Sequence, residues 1–410
     1  MLRTMLTAIV CGGCGLSLAW AADWPQWRGP ARTMLQTETG LLKAWPKDGP
    51  RLLWTTEKLG GGYSTPSVAK GKIYGMSYRG ADEVIWALEE ATGKEIWVHK
   101  VGPQGKAGYN EGPRSTPTVD GDRVYGLGVG GELACVNAGT GTPIWSKNFK
   151  KEFDGKVGGW GYSESVLIDG DVLICTPGSK KATIAALNKT TGAVLWTGVS
   201  PEQDGAEYAS AIVAESAGQK MYIQFVKKGV VAFDAQAGKF LWRYDRPANG
   251  TANCSTPLFH DNMVFAASAY GNGGGMARVT KSGDGWKAEQ VYDTKKMKNH
   301  HGGMILLDGY IYGSDDGLLA CMDFKTGDVK WSERTGKGSV AFADGRLYYR
   351  QEDGKMYLVE ATPTKYIEHG RFEPSHRSKH KAWPHPVIAN GRLYLRDQDV
   401  LLCYDVRAAQ

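Results

Sequence analysis

The chain has 410 residues, 42% hydrophobic and 22% charged, with a formal net charge of +6. That is enough apolar material for a sizeable buried core and too much for a disordered chain. The basic excess is dispersed: apart from "RFEPSHRSKHK" (Arg371 to Lys381) no run forms a dense patch on a recognisable module, which excludes nucleic acid as a partner.

The first segment reads as a leader. "MLRTMLTAIVCGGCGLSLAWAADW" places Arg3 before an apolar, Gly-rich run and closes on small residues around Ala19, Ala21 and Ala22. This is the pattern of a signal peptide over residues 1–22, too short and Gly-rich for a membrane span, and it predicts export to the periplasm or cell envelope. Cys14 lacks the Leu that a lipidation site carries three residues earlier, where Cys11 stands. No later stretch reaches 18 consecutive apolar residues, so the mature chain has no predicted transmembrane segment. Residues 23–50 form an N-terminal arm opening on "DWPQWRGP", whose Trp24 and Trp27 are expected to staple it to the rest of the chain or to dock a partner.

From residue 51 the chain repeats. "ALEEATGKEIW" ends at Trp97, "CVNAGTGTPIW" at Trp145, "ALNKTTGAVLW" at Trp196, "AFDAQAGKFLW" at Trp242 and "CMDFKTGDVKW" at Trp331. Gly in each Thr-Gly or Ala-Gly pair supplies the positive φ that a hairpin needs, and the acid or amide ahead of it accepts backbone N–H groups. In the second copy the runs Ser115–Val119, Arg123–Leu127, Glu132–Asn137 and Pro143 onward read as a four-stranded antiparallel meander. First strands are predicted near Ser64, Ser115, Ser163, Ala209, Ser255, Gly302, Ser339 and His385, about 40 to 50 residues apart. The fifth and seventh units lose the Trp register. The eighth stops after three strands, and "RLLWTTEK" with Trp54 is predicted to supply the fourth. The fold class is therefore all-β: an eight-bladed β-propeller of four-stranded antiparallel blades over residues 51–410, with no open sheet edge.

The Asp/Asn-x-x-Thr/Ala-Gly-x-x-x-Trp motif resembles the tryptophan-docking repeat of the pyrroloquinoline-quinone (PQQ) propeller superfamily, over about Arg51 to Arg407. The resemblance implies that Trp54, Trp97, Trp145, Trp196, Trp242 and Trp331 are structural, wedging between blades with the indole N–H bonded to a neighbour's carbonyl. In size and repeat the chain is also similar to the propeller lipoprotein of the outer-membrane β-barrel assembly machinery. "DWPQWRGP" resembles the opening of planctomycete-type PQQ-repeat proteins.

Five cysteines remain after the leader, an odd number without close pairs, which is not a disulfide framework. Strand order puts the Asp-Gly and Thr-Gly turns on one face and the longer connections on the other, the candidate functional face. Repeat alignment sets Tyr63, Arg114, Tyr162, Glu164, Tyr208, His301, Trp383 and His385 around the channel rim there, a set suited to a polar, planar or sugar-like ligand. His300 and His301 are adjacent, and His376 and His380 are four apart, but Pro374 and Pro384 argue for a loop, so no metal site is predicted.

Two functions are compatible with these features. The first is a non-catalytic binding or interaction scaffold of the envelope, monomeric, taking an envelope protein or a small polar ligand. The second is a PQQ-dependent type of dehydrogenase acting on an alcohol, polyol or sugar in the funnel. PQQ with calcium would need several carboxylates, and the family's enzymes carry adjacent cysteines; here Glu164 is the one acid at the predicted rim and no two cysteines adjoin. No cofactor is predicted, no catalytic residue is assigned, and the reading leans away from an enzyme.

Overall fold

A side-chain oxygen caps several of the repeat turns. In the computed structural model, which describes residues 22–109 and 111–409, Asn188 Oδ1 accepts from the N–H groups of Thr190 and Thr191 at 2.9 and 3.0 Å, and Asn137 does the same for Gly139 and Thr140. The following glycine is left-handed, at φ +72° for both Gly141 and Gly192. It is also short of room: a Cβ on Gly141 would stand 2.6 Å from Trp97, and one on Gly192 2.9 Å from Trp145. Each glycine thus admits the indole of the preceding blade. The Trp97 and Trp145 N–H groups donate to Ala138 O and Lys189 O of the next blade, at 3.1 and 3.0 Å. The predicted leader, with Cys11 and Cys14, lies outside the described residues.

The strands assemble into eight antiparallel sheets of four, with an added fifth strand in one. From the channel outward, blade 1 runs from Ser67–Ala69 to Glu95–Pro103, blade 2 from Thr118–Asp120 to Pro143–Asn148, blade 3 from Leu167–Asp169 to Val194–Gly198 and blade 4 from Ile212–Ser216 to Phe240–Tyr244. Blade 5 spans Leu258–His260 to Gly285–Thr294, blade 6 Met304–Leu307 to Val329–Arg334, and blade 7 Gly338–Ala343 to Glu368–Phe372. Most inner strands begin a few residues later than the repeats suggest. Pro66, Pro117, Pro257 and Pro386 sit just before four of them, and proline gives no N–H to the ladder. Among the described residues one short helix, Phe149–Phe153, is capped by Asn148.

Blade 8 takes Val387–Ala389, Arg392–Asp397 and Val400–Asp405 from the C-terminus, and Arg51–Thr56 as its outer strand, with Trp54 opposite Cys403. The ring is therefore closed by its own N-terminal strand. Arg396, fully buried, reinforces the seam: it donates to Ser64 O, Met76 O and Ser77 Oγ of blade 1 at 3.0, 2.6 and 2.8 Å, with its guanidinium 5.6 Å from the Trp86 ring. Charge-assisted bonds of this kind are about twice as strong as neutral ones.

In the two degenerate units other aromatics fill the gap. Tyr292 of blade 5 lies opposite Met276, as Trp331 lies opposite Cys321 in blade 6, and its hydroxyl donates to Phe324 O at 2.9 Å. On blade 7, Trp45 from the arm packs against Phe372, ring centroids 4.8 Å apart.

The arm occupies the channel. It starts at the turn face, where Asp23 accepts from Lys70 N, and returns there to Leu41, whose N–H donates to Asp344. In between it reaches the inner edge of every blade. Trp24 bridges Val68, Pro25 O accepts from Val119 N, and Trp27 donates to Thr256 Oγ1. Arg32 donates to Ser165 O, Val166 O and Ala211 O, and Arg28 to Met304 O at 2.6 Å. Leu35–Gln36 adds a parallel strand to Gly338–Ala343, and Gln36 donates to Ile388 O. The two buried guanidiniums have no carboxylate partner in these bonds; burial pulls both down to about 9, so they remain cationic at neutral pH. Trp24 is wholly buried and cannot offer itself to a partner.

Candidate functional site

Each blade enters its inner strand in extended conformation, so successive side chains alternate between channel and blade interior. Tyr63 and Thr65, Ser163 and Ser165, Tyr208 and Ser210, and Trp383 and His385 face inward as i, i+2 pairs. With Arg114, Cys254 and His301 they enclose a cavity of about 340 Å³ on the loop-rich face. The longer loops raise its wall with Tyr109, Trp160, Tyr270 and His300. Its floor is the tip of the arm: Trp27 lies with its ring centroid 4.6 Å from that of His385. Such a volume and an aromatic wall with a few polar groups suit a small ligand or an inserted side chain.

Six of the eight predicted rim residues line this cavity: Tyr63, Arg114, Tyr208, His301, Trp383 and His385. Tyr162 and Glu164 do not. In blade 3 the inward residues are Ser163 and Ser165, one step out of register with the repeat alignment, and the alternation turns Tyr162 and Glu164 into the blade. Tyr162 is buried and donates to Pro177 O at 2.8 Å. Glu164 accepts from Thr176 N and Oγ1 at 2.7 and 2.8 Å, with Gln224 beside it, and burial pushes its carboxyl up to about 7. Sequence reasoning missed Trp27, Tyr109, Trp160 and Tyr270. Their one signal was membership of the arm, of a long inter-blade loop or, for Tyr270, of the loop between two strands of blade 5, which does not reveal where a loop side chain points.

Arg114 is the fixed charge of the site. Its guanidinium lies 5.6 Å from the Tyr63 ring and donates to Gly108 O and Tyr109 O at 2.8 Å, which ties down the long loop before blade 2. His300 is held by Tyr270, whose hydroxyl is 2.9 Å from Nε2. His301 stacks between His300 and Trp383, centroids 3.6 and 4.2 Å away, with Nδ1 3.6 Å from Glu352. His385 Nε2 is 2.8 Å from His301 O. Burial draws all three imidazoles down, His300 and His385 to about 3, and keeps them neutral at pH 7. It pushes the Cys254 thiol up to about 12. His376 and His380 lie in a loop without helix; His380 pairs with Glu111 at 3.2 Å.

This wall does not fit PQQ with calcium. Calcium takes six to eight oxygens, several from carboxylates, and none of the described residues lining the cavity is Asp or Glu. Glu164 has its oxygens committed inside blade 3. The described cysteines are all unpaired.

Fold and repeat together define an eight-bladed propeller built from PQQ-like repeats, with its loop-face cavity floored by its own arm. The chain belongs to the family described as outer membrane protein assembly factor BamB, whose family model matches residues 20–116 and 81–333. It is 22% identical over 296 residues to the outer membrane protein assembly factor BamB of Salmonella typhimurium, covering 69% of this chain and 71% of that protein. The Burkholderia pseudomallei protein of the same name is 22% identical over 251 residues, 58% of this chain and 59% of that one. Among solved structures, BamB from Moraxella catarrhalis superposes with a TM-score of 0.60 at 17% identity, over 88% of this chain and 98% of that chain. The quinohemoprotein alcohol dehydrogenase of Comamonas testosteroni gives 0.66 at 14% identity, over 95% and 81%. At these identities both structures speak to the fold alone. Among the described residues no helix is long and apolar enough to cross a membrane.

Proposed function

We propose that this chain is a non-catalytic binding propeller of the cell envelope, which holds a protein partner on its loop-rich face. The observation that carries this is the cavity itself: an aromatic wall with exposed Tyr109 and Tyr270 at its mouth and no carboxylate among its described lining residues. That surface can bury an inserted side chain or loop, and it offers no carboxylate among its described lining residues, its titratable groups being imidazoles, phenols, one guanidinium and one thiol. Membership of a family described as an outer membrane assembly factor supports both the compartment and the protein nature of the partner.

The test is recovery of a partner from an outer-membrane fraction with the purified chain as bait. Replacing Tyr109 and Tyr270 together by Glu, at positions 61% and 52% exposed, should remove the recovered partner while leaving the fold intact. Retention of the partner by that double variant would contradict a loop-face interface.

A further inference from the structure

The turn entering blade 5 and the turn entering blade 6 bring three soft or borderline ligands into one corner of the cavity. Cys254 Sγ and one ring nitrogen each of His300 and His301 lie within 4.8 Å of one another. All three residues line the cavity and none is buried away from it. We propose that Cys254, His300 and His301 form a binding site for a single thiophilic d10 cation, zinc(II) or copper(I), with its remaining coordination position open to the cavity.

The donor set argues for this class. One sulfur and two imidazole nitrogens suit zinc and copper, whereas calcium and magnesium want oxygen ligands. A tetrahedral ion with bonds of about 2.0–2.3 Å holds its ligand atoms roughly 3.5 Å apart, so atoms that now lie within 4.8 Å of one another have to draw together by little more than about 1 Å. The outer partners are in place as well. Tyr270 holds His300 through its hydroxyl at 2.9 Å, and the Glu352 carboxylate stands 3.6 Å from His301 Nδ1, where it orients the ring. Cys254 also differs from its fellows: Cys135, Cys175, Cys321 and Cys403 are buried, and Cys254 alone of the five is partly exposed. Binding forms a metal–sulfur bond and releases the thiol proton to solvent, so no oxidant or reductant enters the balance. The site shares the cavity and Tyr270 with the partner-binding reading, but its three ligands are not the residues replaced in that test, so the two can fail separately.

The experiment uses the tag-free mature chain. Zinc(II) is titrated against a chromophoric chelator, and copper(I) against a copper(I)-selective chelator under ascorbate. One equivalent should bind in at least one arm, and the arm that wins identifies the cation. Cys254→Ser should abolish competition with the chelator, and Glu352→Gln should weaken it about tenfold. A second measurement needs no variant: excess maleimide at mildly alkaline pH should slowly label one thiol of the folded protein, at Cys254, whose thiolate fraction is small, and the bound metal should block it. Less than a tenth of an equivalent in both arms, unchanged affinity in Cys254→Ser, or labelling unaffected by metal would each overturn the proposal.

Discussion

Trp27 and His385 meet ring to ring, 4.6 Å between centroids, one from the N-terminal arm and the other from the last blade. The contact marks where the arm stops being a tether and becomes part of the site. On one side of it the arm runs through the channel, hydrogen-bonded to backbone groups of the inner strands; on the other lies the cavity.

The arm should therefore contribute heavily to stability. Arg32 donates to three carbonyls in blades 3 and 4, and its removal leaves buried acceptors unpaired. Arg32→Ala is expected to lower the free energy of unfolding by roughly 1–3 kcal/mol, read from the midpoint of urea denaturation. A loss below about 1 kcal/mol would mean the arm is not docked as described.

The glycine–tryptophan interlock can be separated from simple backbone strain. Gly192 and Gly218 have nearly the same φ, +72° and +71°, but only Gly192 faces an indole; around Gly218 nothing lies within 4 Å. Gly218→Ala should cost about 1 kcal/mol, and Gly192→Ala roughly 2–4 kcal/mol because Trp145 must also move. Equal costs in thermal or urea unfolding would mean that the indole adds nothing to the strain.

The pH dependence of stability has a defined sign. Burial raises the carboxyls of Glu83, Glu164 and Glu207 to about 8, 7 and 7. A carboxyl raised in the folded state binds more protons there than when unfolded, so its stabilisation is complete at low pH and is lost as pH rises through the folded value. The depressed histidines His300 and His385 act oppositely, but their contribution is complete above about pH 6.5. Stability should consequently fall between pH 6.5 and 8. In Glu83→Gln, which keeps an acceptor for Val129 N, the fall should shrink by roughly 1–2 kcal/mol. Stability that rises across this window would show that these carboxyls are not buried as described.

PQQ with calcium should leave the protein unchanged. With no carboxylate among the described lining residues, the melting temperature is expected to stay constant, and dye-linked oxidation of alcohols or aldoses to stay at background. A rise in melting temperature that grows with PQQ concentration would reinstate the quinoprotein reading.

Fold and site were unequally legible in the sequence. The Thr-Gly-x-x-x-Trp unit recurs because one residue pair, such as Gly192 and Trp145, serves both a turn and an inter-blade contact, and recurrence at fixed spacing exposes it. Tyr292 escaped notice because it does the same job with a different aromatic. The channel plug left no periodic trace: Arg28 and Arg32 bond to carbonyls, which every residue possesses, so nothing in the blades had to change to receive them. The site fell between these cases. Alignment set Tyr63, Tyr208 and His301 at positions that line the cavity, whereas in blade 3 the lining takes Ser163 and Ser165 in place of Tyr162 and Glu164. Cys254 meets His300 only through the neighbouring of two blades, which sequence separation conceals.

Binding of a protein on the loop-rich face is put to the test by site-specific photo-crosslinking in the intact envelope. The photoreactive residue is placed at Tyr109 or Tyr270 on the loop face and at Asp171 on the turn face, where that side chain is 94% exposed. One discrete crosslinked product is expected from both loop-face positions and none from Asp171. Crosslinking from Asp171 with none from Tyr109 or Tyr270 would put the partner on the turn face and overturn the proposed function.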